Sequence, residues 1–203
     1  MFVIRNLPLL AGLALLGACA GQPEDQRLNR TVSQGAVVVE GVPGGIILEE
    51  EIVKATVVGI DRRKRTVTLQ DEKGNRRTVQ DPPDMRNFAQ LEVGDRVTVT
   101  KKMQSTISLL EPGEVDMESK EGAAMILTPP EGSKPGLLVA STNTSIAVVK
   151  ALDSEAHTAT LQFADGTTKT YKVRPDLEIK PEYLNREVVI RRDAEYSVTV
   201  QAQ

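Results

Sequence analysis

The chain has 203 residues, with 25 Lys and Arg against 28 Asp and Glu, and a formal net charge of −3. This mildly acidic balance argues against nucleic acid as a partner, because phosphate contacts need a basic surface. Aromatic residues make up 3% of the chain and Trp is absent, so flat stacking platforms for sugars or single-stranded nucleic acid are not expected. The single cysteine excludes an intrachain disulfide.

The N-terminus has the anatomy of a secretory signal. Arg5 gives a positive start, Leu7 to Ala18 is almost entirely apolar, and the chain turns polar after Gly21. A membrane-spanning helix needs about 20 apolar residues, so this run is too short to be one. Leu16-Gly17-Ala18-Cys19 resembles the bacterial lipobox, in which the cysteine receives a diacylglycerol and cleavage occurs just before it. The resemblance implies a signal peptide at residues 1–18 and a lipid on Cys19.

Ordinary secretion is the alternative for this segment, because Ala18-Cys19-Ala20 also fits a small-x-small cleavage site. A lone thiol in an oxidising compartment is a liability unless it is modified, and this favours lipidation. Several acyl chains on one cysteine make a stable membrane anchor. Ala20 stands where an Asp would suggest retention at the inner membrane. We therefore expect the bacterial outer membrane, with the protein facing the periplasm.

An internal duplication organises the rest of the chain. Matches at a constant offset of 92 include Thr66–Gln70 with Thr158–Gln162, and Val97 with Val189. Shifting the alignment by five residues also pairs Gly35–Val39 with Gly122–Ile126. The predicted organisation is a signal peptide (1–18), the lipidated Cys19 with a polar tether (19–34), a first repeat (35–110), an acidic linker (111–121) and a second repeat (122–203).

Each repeat has the pattern of short strands. Thr66–Gln70 and Thr158–Phe163 alternate polar and apolar residues, which places every second side chain on a core face. The core-face residues predicted in this way are Val67, Leu69, Leu161 and Phe163. Gly74 and Gly166 follow these strands, where a hairpin turn requires a positive φ. The sequence therefore predicts an all-β protein with two tandem small barrels of the OB or SH3 type, each of about five or six strands.

A short helical segment is predicted near the end of the first repeat. Asp84 is placed to cap one helical turn, and Met85, Phe88 and Leu91 are spaced to plug one end of a barrel. Val93-Gly94-Asp95 then predicts another turn before the last strands.

The sequence offers little for catalysis. His157 is the only histidine and lies in a predicted turn, and no Ser-His-Asp set can be assembled with it as the only imidazole. The only cysteine is expected to be acylated. Metal sites cluster His, Cys or carboxylates, whereas the methionines here are scattered and are expected to pack in apolar surroundings. These features predict a protein without enzymatic activity, bound metal or cofactor.

Three charged features are candidates for a role. The run Arg62-Arg63-Lys64-Arg65 is a candidate partner contact, with a solvated turn as the alternative, and the second repeat has Ser154 to His157 there. Asp61 and Asp153 each follow an apolar strand, where an Asp can accept backbone N–H bonds and fix a reversal. Glu49-Glu50-Glu51 predicts a charged sheet edge that discourages aggregation.

The repeat pattern resembles a group of uncharacterised bacterial periplasmic and lipoprotein repeats. It is carried by Ala55–Asp61, Thr66–Asp71, Gly74 and Phe88–Val97, and the second repeat departs from it with Asn185-Arg186-Glu187 in place of Val-Gly-Asp. The resemblance implies a small barrel and no particular activity. A looser resemblance to small-barrel periplasmic copper chaperones implies His, Met and Trp ligands, and the chain has no Trp.

These observations favour a non-enzymatic envelope lipoprotein that acts as a protein-interaction or scaffold module for an unknown envelope protein. It would reach the membrane through its N-terminal lipid, and its contact surfaces are expected at the basic turn and in the groove between the modules. The alternative is a periplasmic protein that binds a small ligand or a metal ion, which requires a preformed pocket.

Overall fold

The computed structural model describes residues 27–82, 84–114 and 122–203, so Cys19, the predicted signal peptide and most of the predicted linker lie outside it. Its strands are β1 (Arg30–Val37), β2 (Gly44–Asp61), β3 (Thr66–Gln70), β4 (Arg76–Gln80), β5 (Arg96–Leu110), β6 (Ala123–Leu127), β7 (Gly136–Asp153), β8 (Thr158–Phe163), β9 (Thr168–Lys172) and β10 (Glu187–Gln201). Two 3-10 helices span Phe88–Gln90 and Pro181–Tyr183. The predicted all-β class is confirmed.

The strands form one open antiparallel sheet of ten strands. Its order is β4-β3-β2-β5-β10-β7-β8-β9, with β1 beside the first half of β2 and β6 beside the first half of β7. Two separate closed barrels are not confirmed, because β5 and β10 pair with each other along their full length. Each of these strands thereby provides hydrogen-bond partners for the backbone N–H and C=O groups at the edge of the other repeat. These groups therefore do not require each repeat to close into a barrel.

The duplication is visible in the strand pairing. β7 repeats β2 at the offset of 92, whereas the pairing of Gly44 with Ser108 and of Gly136 with Thr199 makes β10 follow β5 by 91. Val97 therefore corresponds to buried Val188 rather than to Val189. The turn before β10 is retained as well.

Asn185 in the second repeat takes the place of Gly94, and both have left-handed backbone, with φ of 65° and 102°. Each donates its N–H to a buried valine carbonyl, Val149 in the second repeat and Val57 in the first. Asn tolerates the left-handed region of backbone conformation. The turn is therefore kept in the second repeat although the Val-Gly-Asp motif is absent there.

The first strand of each repeat departs from the predicted boundaries. β1 begins at Arg30, so residues 30–34, which were predicted as tether, belong to the sheet. Leu127 pairs with Leu138 as Val37 pairs with Ile46, which makes Leu127 the counterpart of Val37. This register differs from the alignment of Gly35 with Gly122.

Each apolar core takes side chains from both repeats. The first cluster contains Phe88 and Leu91 together with Leu137 and Val198 of the second repeat. The second cluster, around Ala147, Val149 and Leu161, is covered in part by Ile107 and Leu109 of the first repeat. The predicted core residues Val67, Leu69 and Leu161 are buried, and Phe163 packs against the second cluster. Because each cluster includes side chains from both repeats, neither repeat has a complete apolar core alone. Apolar burial is the main stabilising contribution to folding, so each repeat depends on the other.

The first hairpin of each repeat also contacts the other repeat. Arg174 of the second repeat donates to the carbonyls of Val39 and Val42, at the tip between β1 and β2, at 3.3 and 2.9 Å. In return, Lys134 from the β6–β7 loop reaches the carboxylate of Asp95 in the first repeat at 2.9 Å. Each repeat therefore contacts the other through its first hairpin as well as through shared core residues.

The local turn predictions have mixed outcomes. Asp61 Oδ1 accepts the N–H groups of Arg63 and Lys64, and Asp153 Oδ1 accepts the equivalent pair in the second repeat, so both reversals are fixed as predicted. Gly74 and Gly166 have positive φ. The prediction that Asp84 caps the plug is wrong, because the 3-10 helix begins at Phe88 after Asn87 and has no side-chain cap.

Candidate functional site

The basic turn between β2 and β3 divides into two inward and two outward side chains. Arg62 donates to the carbonyls of Ala89 and Leu91, both at 3.0 Å, and so holds the carbonyl end of the 3-10 helix. Arg65 bonds to Asp81 and lies 4.9 Å from the centre of the Phe88 ring. These two arginines hold the plug in place, which the sequence alone did not indicate.

Arg63 and Lys64 are the outward pair. Both are exposed, and their side chains make no hydrogen bond or ion pair within the ranges that the structure describes. Of the four predicted residues, these two are therefore the ones without a partner in the described structure that competes with an acidic partner or lipid phosphate. Glu155 and Ala156 occupy the equivalent positions of the second repeat, so the fold does not require charge here.

Asp81 is the most buried acid that contacts this turn, with a side chain 1% exposed. Its Oδ2 accepts from Arg65, while Oδ1 has no partner in the described structure. Burial raises the pKa of Asp81, and the hydrogen bond and charge of Arg65 oppose that rise. In the second repeat, His157 and Val173 make the same backbone bond as Arg65 and Asp81, without an ion pair.

The triple glutamate does not form a sheet edge. Glu49, Glu50 and Glu51 lie in β2 between β1 and β5, so the prediction of a charged edge is wrong. Glu51 pairs with Arg30 at 3.3 Å and Glu50 approaches Lys102 at 3.8 Å. The sequence pattern gave no sign that β1 would add outside these residues.

The edge strands β1 and β6 expose apolar side chains. Each pairs on one side only, β1 with β2 and β6 with β7. β6 reads Ala-Ala-Met-Ile-Leu without a charged residue, and every position is exposed, Met125 by 52% and Ile126 by 50%. By contrast, the end strands β4 and β9 carry Arg and Lys residues, the usual protection of an edge against pairing.

A trough crosses the middle of the sheet between β1 and β6. Its volume is about 790 Å³. Six strands line it, which are, in their order across the sheet, β1, β2, β5, β10, β7 and β6. One row of paired residues across these strands is Ser33, Glu50, Lys102, Glu195, Ala140 and Met125. Since β1 and β6 are opposite edges yet line one cavity, the sheet curves here. This central trough is the groove between the repeats.

A second cavity lies inside the curve of the first repeat. Its volume is about 640 Å³, and its wall combines aliphatic residues of β2, β3, β4, β5 and β10 with the plug. Tyr196 also lines it, and burial raises the pKa of its hydroxyl. Arg27, Arg30 and Arg77 also line it. We call this the repeat 1 cavity.

His157 makes a backbone contact and belongs to no cluster of metal-ligating side chains among the described residues. His157 lies in the predicted turn with φ of 54°, and its Nε2 is 2.9 Å from the carbonyl oxygen of Arg174. Within the ranges 27–82, 84–114 and 122–203, no group of three or more His, Cys, Asp or Glu side chains could hold a metal ion. Among the described residues, no helix has the length and apolar character needed to cross a membrane.

Comparison with known proteins found no matching family model, curated protein or solved structure.

Sequence reasoning found the basic turn but missed the edge strands and the repeat 1 cavity. The signal for the edge was present, because residues 123–127 are uncharged and apolar and lie between polar segments. The cavity had no sequence signal, since its valines alternate like those of any buried strand.

Proposed function

We propose that this protein is a non-enzymatic envelope lipoprotein whose paired repeats bind another envelope protein. The observation that carries the proposal is β6, an uncharged edge strand with all side chains exposed. An exposed apolar edge invites pairing with a strand of another chain, which supplies main-chain hydrogen bonds and contacts for alternate side chains. The partner would contribute an extended segment beside β6, with side chains entering the central trough.

Charge within the trough sets a second requirement on the partner. Lys102 lies between Glu50 and Glu195 at 3.8 and 4.0 Å, so the floor of the trough is polar while its rim at β6 is apolar. A segment with apolar residues alternating with polar ones fits this arrangement. Arg63 and Lys64 provide a separate cationic contact.

The N-terminal anchor belongs to the same proposal. The lipobox pattern at Leu16 to Cys19 supports lipidation of Cys19 and attachment to the outer membrane, facing the periplasm. Metabolic labelling with an acyl-chain analogue tests it: label on the wild type and none on Cys19→Ser supports the anchor. Label on both chains would refute it.

Partner binding is tested by photo-crosslinking in the intact cell. A photoreactive residue at Met125 is expected to give one discrete adduct, and the same residue at Thr170 in the charged edge strand β9 is the matched control. Adding Ile126→Lys should abolish the adduct, because a charge on the edge blocks strand addition. An adduct of equal yield at Thr170, or one that survives Ile126→Lys, would refute docking at β6.

The basic turn is tested separately in the same assay. Arg63→Ser/Lys64→Ser removes only the outward charges, and Glu155→Ser is its counterpart in the second repeat. Arg62 and Arg65 are left intact because they hold the plug. A lower adduct yield in the double variant alone places an acidic part of the partner at this turn. Equal yields in all chains would remove the turn from the interface.

A further inference from the structure

The repeat 1 cavity has the wall of an acyl-chain site. Valine and leucine side chains of β2, β3, β4, β5 and β10 make up most of it, together with Met85, Phe88, Leu91 and Tyr196. Its volume of about 640 Å³ lies within the range of roughly 300–1,000 Å³ that small-molecule sites occupy. Several of these residues, among them Val53, Val79 and Val99, are only half-buried by the protein itself. An apolar ligand would complete their burial.

A cavity in the second repeat that includes some of the equivalent positions is smaller and differently lined. It measures about 250 Å³, and its wall includes Ser145, Lys169 and Tyr171. At the offset of 92, Ser145 stands for Val53 and Tyr171 for Val79. A polar residue and a larger ring thus replace two valines. The large apolar cavity is therefore a property of the first repeat and not a consequence of the shared fold.

Cations at the cavity are not all neutralised by the protein. Of the acids that line it, Glu51 pairs with Arg30 at 3.3 Å, and Asp81 pairs with Arg65. Arg27 and Arg77 also line the cavity, and neither makes a hydrogen bond or ion pair with the residues that the structure describes. The unsatisfied charge is positive, and guanidinium groups bind carboxylate and phosphate oxygens in a bidentate manner.

We propose that the repeat 1 cavity binds a single anionic amphiphile, with its acyl chain among the valines and its acidic head group at Arg27 and Arg77. This site is independent of the strand edge at β6, so either proposal stands if the other fails. A free fatty acid and an anionic phospholipid share this chemistry. A neutral ester with the same chain lacks the charged oxygen atoms that the arginines would hold.

Calorimetric titration of the chain from Ala20 onward, which contains every described strand, tests the proposal with palmitate. We expect saturable binding of one palmitate per chain, and binding about tenfold weaker when the ligand is shortened by two methylene groups. Palmitate methyl ester should bind at least tenfold more weakly than palmitate, since it loses the charge-assisted hydrogen bonds. Vesicles of phosphatidylglycerol form a second arm, in which co-sedimentation that depends on Arg77 assigns the site to a membrane lipid.

Two variants and one control locate the site. Arg77→Glu should weaken palmitate binding at least tenfold and leave the methyl ester unchanged, whereas Lys169→Glu, its counterpart in the second repeat, should change neither. Val79→Tyr copies Tyr171 and should abolish binding by filling the cavity, with circular dichroism checking that the chain stays folded. No saturable binding of palmitate or phosphatidylglycerol, binding unchanged in both variants, or equal loss in Lys169→Glu would overturn the proposal.

Discussion

The ion pair between Arg65 and Asp81 gives a sharp test of how the first repeat is stabilised. Arg65→Ala would leave the Asp81 carboxylate, 1% exposed, without a partner on either oxygen, and would remove the contact with the Phe88 ring. Removing one member of a buried pair typically costs about 3–5 kcal/mol. Because the Arg65 side chain is 51% exposed and partly screened by water, we expect a smaller loss of about 2–3 kcal/mol in the free energy of unfolding.

The second repeat supplies the rescue. Val173 occupies the position of Asp81 there, and the backbone bond of the turn is kept. Adding Asp81→Val to Arg65→Ala removes the stranded carboxylate, so the double variant should be more stable than Arg65→Ala by about 1–2 kcal/mol. Urea denaturation of the wild type, both single variants and the double variant measures this cycle.

The pH dependence of Arg65→Ala follows from the same burial. Burial raises the pKa of Asp81 above that of the unfolded chain, so this group makes stability fall as pH rises through the window between the two values. Without Arg65, which opposes that rise, the window should widen and the total loss of stability across it should be larger. The loss of stability should therefore be larger at pH 7 than near the usual pKa of a carboxyl group. An equal loss at both pH values, or a double variant no better than Arg65→Ala, would refute the reasoning.

Three further predictions concern the apolar core, the contact of Lys134 with the first repeat, and the turn that Asp71 stabilises. Leu91→Ala, at a side chain that is 4% exposed, should cost about 2–5 kcal/mol in urea denaturation. Leu184→Ala, at the residue that ends the second 3-10 helix and is 44% exposed, should cost well under half as much, and equal losses would contradict the burial pattern. Lys134→Met should lower the thermal midpoint at pH 7, because Lys134 donates hydrogen bonds to Glu92 and Asp95 that raise its pKa. The effect should shrink as pH rises through that raised pKa, since the stability that the ion pair adds is lost as the amine deprotonates; a pH-independent effect would count against the ion pair. Burial acts to raise the pKa of Asp71, but hydrogen bonds donated by Asn29, Asn75 and Lys73 together lower it. The wild type should therefore lose stability as pH falls through that lowered pKa, and Asp71→Asn should lose less. Acid titration followed by circular dichroism measures this, and parallel acid transitions of the two chains would reject the role.

The sequence by itself determined the alternation of the inner strands and several of their turns. Alternation placed Val67 and Leu69 on the buried face, and it did so because side chains of a strand point to opposite sides in turn. Asp61 fixes its reversal through two backbone N–H groups only a few residues away, so its role could be inferred locally. The all-β class followed from these short-range patterns.

Only the tertiary structure decided how the strands combine and where a ligand or partner could bind. Pairing of β5 with β10 joins residues far apart in the chain, such as Val97 and Val200, and no local pattern encodes that register. The division of the basic turn into inward Arg62 and Arg65 and outward Arg63 and Lys64 depends on where the plug packs. An unfilled cavity is a property of what is missing beside a strand. Adjacent residues in sequence do not report that absence, because it is set by long-range packing.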